Sequence, residues 1–217
     1  MKLYSYFRSS ASYRVRIALN LKGLPYDIVP IHLLKNGGEQ LGEGYRRLNP
    51  DGLVPALIDE AAGESALTQS LAIIEYLEET HPTPALLPAS PADRAFVRSL
   101  ALSIACEIHP LNNLRVLRYL THTLKVGEDD KNTWYRHWVV KGLSALEATL
   151  ANDKRVGKFC YGDAPSLADC FLVPQVFNAQ RFNCDLSDLP TIVRINAACM
   201  ELDAFAAASP ARQPDAE

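Results

Sequence analysis

Val54-Pro55-Ala56-Leu57-Ile58-Asp59 and, after five intervening residues, Ser65-Ala66-Leu67-Thr68-Gln69-Ser70-Leu71-Ala72-Ile73-Ile74-Glu75-Tyr76 are the stretches on which the fold turns. Two short strands, Pro55 to Asp59 and Ser65 to Thr68, flank a polar break that contains Gly63, the pattern of a hairpin. The apolar residues that follow fall at helical spacing, which predicts a helix from Gln69 to Glu79.

Working upstream, the pattern predicts a strand over Leu3 to Phe7, a helix over Ser12 to Lys22 and a strand over Tyr26 to His32. A loop through Asn36-Gly37-Gly38 and a weak helix ending at Leu48 follow. The order is β-α-β-α-β-β-α. A single right-handed βαβ crossover, an antiparallel hairpin and a closing helix make a small mixed sheet covered by helices. That arrangement matches a thioredoxin-like fold.

Downstream, four of the fourteen prolines gather between His81 and Pro91. Their missing N–H groups and fixed φ forbid a continuing helix, so a domain boundary is placed there. Beyond it Val97, Leu100, Ala101, Ile104, Ile108 and Leu111 recur every three or four residues in one long helix that Pro110 should kink. A second helix is predicted from Lys131 to Leu150. A third begins at Ser166, where Ser166-Leu167-Ala168-Asp169 has the form of a capping box, and a fourth follows Pro190. The expected fold is therefore α/β plus all-α: residues 1–81 thioredoxin-like, 82–91 a Pro-rich linker, 92–217 all-helical. The tail from Ser209 to Glu217 is expected to be loosely attached.

Composition narrows the function classes. The 217 residues carry 22 Lys+Arg against 25 Asp+Glu, a net charge of −3, which lacks the basic excess of a nucleic-acid binder. Hydrophobic residues at 48% and charged residues at 22% suit a chain that buries a core. No apolar run is long enough to span a membrane, and the N-terminus lacks the pattern of a signal peptide, so a cytoplasmic protein is expected. Cys106, Cys160, Cys170, Cys184 and Cys199 are odd in number and never spaced C-x-x-C. That fits neither a disulfide framework nor a zinc site. The histidines show no metal-ligand spacing either, and no metal is assigned.

Three turns stand out for chemistry. In Arg8-Ser9-Ser10-Ala11-Ser12-Tyr13 a strand hands over to a helix through hydroxyls. Free N–H groups and the positive dipole end favour an anion there, and a hydroxyl can donate to a thiolate and lower its parent thiol's pKa. Serines before helices are, by themselves, more often caps than catalysts. The same ambiguity attends Gln69-Ser70, where Ser70 with the helix N–H groups suits a carboxylate and Gln69 an amide or ammonium group. In Asn49-Pro50-Asp51-Gly52-Leu53-Val54-Pro55, a cis Val54–Pro55 bond would turn the Val54 backbone outward to pair with an extended peptide. Proline at a strand start is also ordinary. Tyr4 and Tyr6 are alternative thiol activators, or members of one sheet face.

With these turns in this order on one small fold, the chain resembles the zeta class of glutathione transferases. The resemblance rests on Tyr-Phe-Arg-Ser-Ser near the start, Val-Arg-Ile-Ala-Leu in the first helix, Leu-Asn-Pro…Val-Pro-Ala-Leu, Gln-Ser-Leu-Ala-Ile-Ile-Glu-Tyr-Leu-Glu-Glu, Ala-Asp-Cys-Phe-Leu-Val-Pro-Gln-Val and the final Gln-Pro-Asp. It implies a reduced-glutathione site in which Ser9 and Ser10 take the catalytic thiol-side positions, beside Ala11. Gln40 and Val54 match peptide-binding positions, Gln69 and Ser70 the γ-glutamyl clamp, and His109 and Asn113 helical-domain positions that enclose the cofactor. Where many zeta sequences read Ser-Ser-Cys followed by any residue and Trp or His, this chain has Ala11 and Tyr13. Side activities that need that cysteine are not expected.

The resemblance further implies a glutathione-dependent cis–trans isomerase of a small dicarboxylate, with Arg8, Arg115 and Arg181 at the anion-binding positions. Arginine's planar fork suits bidentate carboxylate recognition. The leading expectation is conversion of maleylacetoacetate to fumarylacetoacetate in tyrosine and phenylalanine breakdown, followed by maleylpyruvate isomerisation in gentisate breakdown. A general conjugating transferase, which would want a more apolar pocket, and a non-catalytic binding module stay as alternatives. Family members of this architecture are homodimers, and one is expected here.

Overall fold

The computed structural model describes residues 1–63 and 65–217. They form two compact units, Met1–Leu86 together with Met200–Glu217, and Leu87–Cys199.

The first unit is built on β1 (Lys2–Ser5), α1 (Ser10–Leu21), β2 (Asp27–Pro30), α2 (Glu43–Leu48), β3 (Ala56–Ile58), β4 (Leu67–Thr68) and α3 (Ser70–Thr80). The expected order holds, although each strand is shorter than the apolar pattern suggested. The sheet runs β2-β1-β3-β4, with β1 parallel to β2 and antiparallel to β3, and β3 antiparallel to β4. Leu3 sits opposite Ile28 on one side and Leu57 on the other. Both Leu3 and Leu57 are fully buried, as are Val15, Ile17 and Leu19 of α1 and Ile73, Ile74 and Leu77 of α3. Ser9 caps α1, and the helix stops where Gly23 takes φ +64°, with Gly23 N–H bonded to Asn20 and Leu24 N–H to Leu19. This double closure satisfies the last carbonyls and needs a residue free of Cβ strain.

The Pro-rich segment is tied to this unit. Buried Lys22 donates from Nζ to Glu78 (2.7 Å) and to the carbonyls of His81 (2.7 Å) and Pro84 (3.0 Å), and Glu78 accepts from Leu86 N–H. All three ammonium protons find acceptors, the condition under which a buried cation is tolerated.

The second unit contains α4 (Pro91–Leu102), α5 (Leu114–Arg118), α6 (Glu128–Asn152), α7 (Leu167–Arg181) and most of α8 (Pro190–Met200). Its core includes Val97, Leu100, Ile104, Val139, Leu143, Phe171, Leu172 and Ile195. The capping box forms as read: Asp169 accepts from Ser166 N–H and Oγ at 2.8 Å and from Cys160 N–H at 2.9 Å. Glu147 of α6 does the same for α8, taking the N–H groups of Thr191 and Ile192.

Two expectations are corrected. The long helix does not run on to a kink at Pro110; α4 stops at Leu102 and the chain continues through a π-helical turn, Ser103–Ile108, and a 3-10 turn, His109–Asn112. Proline excludes the carbonyl one turn earlier, so the irregularity falls before Pro110 rather than at it. The C-terminal tail is anchored. α9 (Asp203–Ala208) packs on α1, Gln213 Nε2 donates to the carbonyls of Ala207 and Ser209, and Asp215 accepts from Phe7 N–H. Met200–Glu217 thus belongs with the N-terminal unit, whereas the sequence assigned all of 92–217 to the helical one.

Candidate active site

In the first unit Ser9 and Ser10 lie at the N-terminal end of α1, Gln69 and Ser70 at that of α3, Gln40 in the 3-10 turn Glu39–Leu41 and Val54 just ahead of β3. Ser9 has extended backbone (φ −68°, ψ 115°), and its Oγ accepts from Ser12 N–H at 3.2 Å. A capping hydroxyl that accepts still has its own proton to give, so capping and anion binding coexist on this atom. Ser10 opens α1 and is buried, and Ala11 beside it is half-buried. Arg8 lies over the Phe7 ring, 4.9 Å from its centroid, and donates to Tyr6 Oη from Nη2 (2.9 Å) and Nε (3.3 Å). A guanidinium held this way is oriented before any ligand arrives.

At α3, Gln69 has φ +67° and ψ 115°, a conformation that strains any residue with a Cβ. Its carbonyl accepts from Ile73 N–H, so the helix begins at once behind it. Ser70 is buried, and its Oγ accepts from Nη1 of Arg14, a buried α1 residue, at 3.2 Å. The Val54–Pro55 peptide is cis, the geometry on which the peptide-pairing expectation depended. Tyr45 Oη and Asn49 Nδ2 both donate to the Leu53 carbonyl, at 2.6 and 2.7 Å, and fix the turn before Val54. Gln40 is buried against Gly38, and its Oε1 has no hydrogen-bond partner. A Cβ on Gly52 would stand 3.1 Å from the Gln40 carbonyl, so this glycine lets the two turns approach.

The remaining predicted residues lie in the second unit. Asn113 caps α5, accepting from Arg115 N–H at 3.1 Å, and its Nδ2 stands 3.5 Å from His109 Nε2. Arg115 is exposed, and Arg181 lies 4.9 Å from the Phe182 ring centroid. A Cβ on Gly142 would fall 2.3 Å from Ile108 Cγ1, so α6 is bare where the π-helical turn rests on it. Trp134 Nε1 donates to the Leu111 carbonyl at 2.8 Å and holds the His109–Asn112 turn from the same helix.

Residues 8–80 match the family model for the glutathione S-transferase N-terminal domain. The whole chain is similar to a probable maleylacetoacetate isomerase of Vibrio cholerae, 54% identical over 99% of this chain and 97% of that one. A solved holo structure of a maleyl pyruvate isomerase, described as a bacterial zeta-class glutathione S-transferase, superimposes with a TM-score of 0.96. It is 51% identical, with both chains fully covered. The chain belongs to the zeta class of glutathione transferases. The maleylacetoacetate isomerase of Methylobacterium extorquens AM1, solved with bound malonate and GSH, has a TM-score of 0.95 at 42% identity, again with both chains fully covered.

Within this zeta-class chain, sequence reasoning missed Arg14, and it weighed Tyr6 as a thiol activator or sheet-face residue rather than as the group that orients Arg8. Arg14 stood inside an apolar helical run and Tyr6 inside a strand pattern, and neither pattern says which way a long side chain reaches. A cavity of about 400 Å3 lined by Tyr4, Ile31, Gly44, Tyr45, Arg47 and Leu48 lies against α2 and, of the residues singled out for chemistry in the sequence, contains Tyr4 alone. Among the described residues there is no group of His, Cys, Asp and Glu suited to a metal ion, and no helix long and apolar enough to cross a membrane.

Proposed function

We propose that the protein isomerises maleylacetoacetate to fumarylacetoacetate with reduced glutathione as cofactor. The observation that carries this reading is the Arg14–Ser70 bond beside strained Gln69, a carboxylate-binding corner in the unit that also presents Ser9. The unpartnered Oε1 of Gln40 fits the same group, since a buried acceptor calls for a donor. Bound glutathione supplies a thiol whose reversible addition to the cis double bond frees it to rotate.

This chain's residues do the rest. Gln69, Ser70, Gln40 and the Val54 backbone hold the tripeptide, with His109 and Asn113 as further binding groups. The Ser9 or Ser10 hydroxyl at the start of α1 would donate to the glutathione sulfur and favour its thiolate. Arg8, Arg115 and Arg181 take the substrate's carboxylates. Ala11 removes the motif cysteine, and the isomerase chemistry does not need it. The protein is a cytoplasmic homodimer in this reading. Five free thiols support a reducing compartment, and light scattering on the eluting protein tests the dimer.

Maleylpyruvate is the second substrate, favoured by a 51% identical, fully covering maleyl pyruvate isomerase. A spectrophotometric assay of both substrates, with and without glutathione, is the test. Turnover strictly dependent on glutathione supports the mechanism, and the ratio of kcat/KM values selects the substrate. Absence of turnover on either overturns it. Arg8→Met, Arg115→Met and Arg181→Met should each raise KM for the dicarboxylate; unchanged kinetics in all three removes the proposed anion site.

A further inference from the structure

Phe7 is the residue before the Arg8-Ser9-Ser10 turn, and both of its backbone polar groups are bound by side chains from elsewhere in the chain. Its N–H donates to Asp215 Oδ2 at 2.9 Å. Its carbonyl accepts from Arg16 Nη2 at 3.0 Å. Arg16 is completely buried, and its other nitrogens donate to Ser5 Oγ (3.1 Å) and to the Ala208 carbonyl (2.9 Å). Burial lowers its pKa to about 10, with the negative charge of Asp215 among the influences that oppose the shift. The second oxygen of Asp215, Oδ1, is buried without a hydrogen-bond partner. On the far side of the tail, Glu217 pairs with Lys35 and reaches His32 Nε2 at 3.5 Å.

These contacts have a direction. β1 ends at Ser5, and the next backbone bond downstream is Ser9 N–H to the Tyr6 carbonyl. Between those points the Phe7 peptide is the place where the turn is referenced to the rest of the unit, and the two groups that hold it come from α1 and from the third-last residue of the chain. Sub-ångström placement of a catalytic group has large kinetic leverage, and a bond from an ionised acceptor is stronger than one between neutral groups.

We infer that Asp215 is a positioning residue of the active site: through Phe7 N–H it sets the Arg8–Ser9 turn, and so the placement of the sulfur-facing hydroxyl and the substrate-facing guanidinium. The inference rests on the isomerase reading of that turn. In that reading the γ-glutamyl end of glutathione would be held at α3, by residues that Asp215 does not bond.

The test compares wild type, Asp215→Ala, Asp215→Asn and Asp215→Glu as full-length protein. Asp215→Ala should lower kcat by about tenfold, shift the thiol pKa of bound glutathione upward, and leave KM for glutathione within twofold. Asp215→Asn, which keeps a carbonyl acceptor for Phe7 N–H, should recover most of the rate. A wild-type kcat and an unchanged bound-thiol pKa in Asp215→Ala overturn the inference. So does a fall in kcat that matches the loss of folded fraction while the bound-thiol pKa stays at the wild-type value. If Asp215→Ala does not fold, Asp215→Glu displaces the same carboxylate by one methylene and is read identically. Should wild type turn over neither substrate, the isomerase reading fails, yet the bound-thiol pKa, read from ultraviolet thiolate absorbance, still decides the role of Asp215.

Discussion

Arg14 Nη1 donates to Ser70 Oγ at 3.2 Å, and both residues are buried. One bond therefore joins the start of α1 to the start of α3, and it brings a positive charge to a helix end whose free N–H groups already favour an anion. Hydrogen bonds to charged groups contribute about 1.5–3 kcal/mol, roughly ten- to a hundredfold in affinity. Arg14→Met and Ser70→Ala should each weaken glutathione binding by about that factor, with kcat changed much less. In calorimetric titrations the double variant should lose less than the sum of the two, because the pair acts as a unit. Full additivity would show that they act separately.

Gly142 faces Ile108 with no room for a methyl group. Overpacking of this kind costs about 1–3 kcal/mol, so Gly142→Ala should lower Tm by roughly 2–4 °C per kcal/mol in a chain of this size. Trimming the opposing side chain in Gly142→Ala/Ile108→Val should return part of the loss. Because Ile108 directly precedes His109, the single variant should also perturb the His109 ring resonances in NMR spectra.

Asp169 is fully buried, and four donors converge on it: the N–H groups of Cys160 and Ser166, the Ser166 hydroxyl and, at 3.8 Å, the Cys199 thiol. Burial pushes its carboxyl pKa up, while the bonds from Cys160 and Ser166 pull the other way. Asp169→Ala would orphan the buried N–H groups of Cys160 and Ser166 together with the two side-chain donors, at about 1–3 kcal/mol for each buried backbone group, and should lower denaturant stability by several kcal/mol. Ser166→Ala should cost about 1 kcal/mol. A loss of under 1 kcal/mol in Asp169→Ala would show that the box is dispensable.

Of nine tyrosines, Tyr45 and Tyr135 have pKa values pushed up to about 12, chiefly by burial. For an acid whose folded pKa is raised, the linked stability is present below the unfolded value near 10 and is lost as pH rises toward 12. Tyrosinate absorbance should show these two ionising well above the pH of a free tyrosine in the folded protein. Equilibrium stability should fall across pH 10–12, and Tyr45→Phe with Tyr135→Phe should flatten that fall.

Much of this was legible before any coordinates. The change from strand to helical spacing after Thr68, the prolines after His81 and the Ser166–Asp169 box are local signals, and local chemistry decides them. The turns at Ser9, Val54 and Gln69 were legible as places, because serine, cis-competent proline and a residue ahead of a helix have restricted backbone options. Partners far away in sequence were not. Arg14 to Ser70, Asp215 to Phe7 and Lys22 to Pro84 depend on where folding brings a long side chain, which periodicity does not encode. The tail was misread for the same reason: Gln213 and Asp215 look like solvated polar residues until the carbonyls and the N–H they satisfy are known.

The first unit is closed by the last eighteen residues of the chain, Met200–Glu217. During synthesis Arg16, Tyr13 and Asn20 emerge long before Ala208, Phe205 and Ala204, whose carbonyls they bond. At about 5–20 residues per second, the apolar flank of α1 waits many seconds for its cover, with Leu87–Cys199 made in between. The nascent chain therefore carries an open, sticky surface until residues 200–217 have been made. Early release or C-terminal truncation should appear first as aggregation on the ribosome or capture by chaperones, before any effect on catalysis is seen.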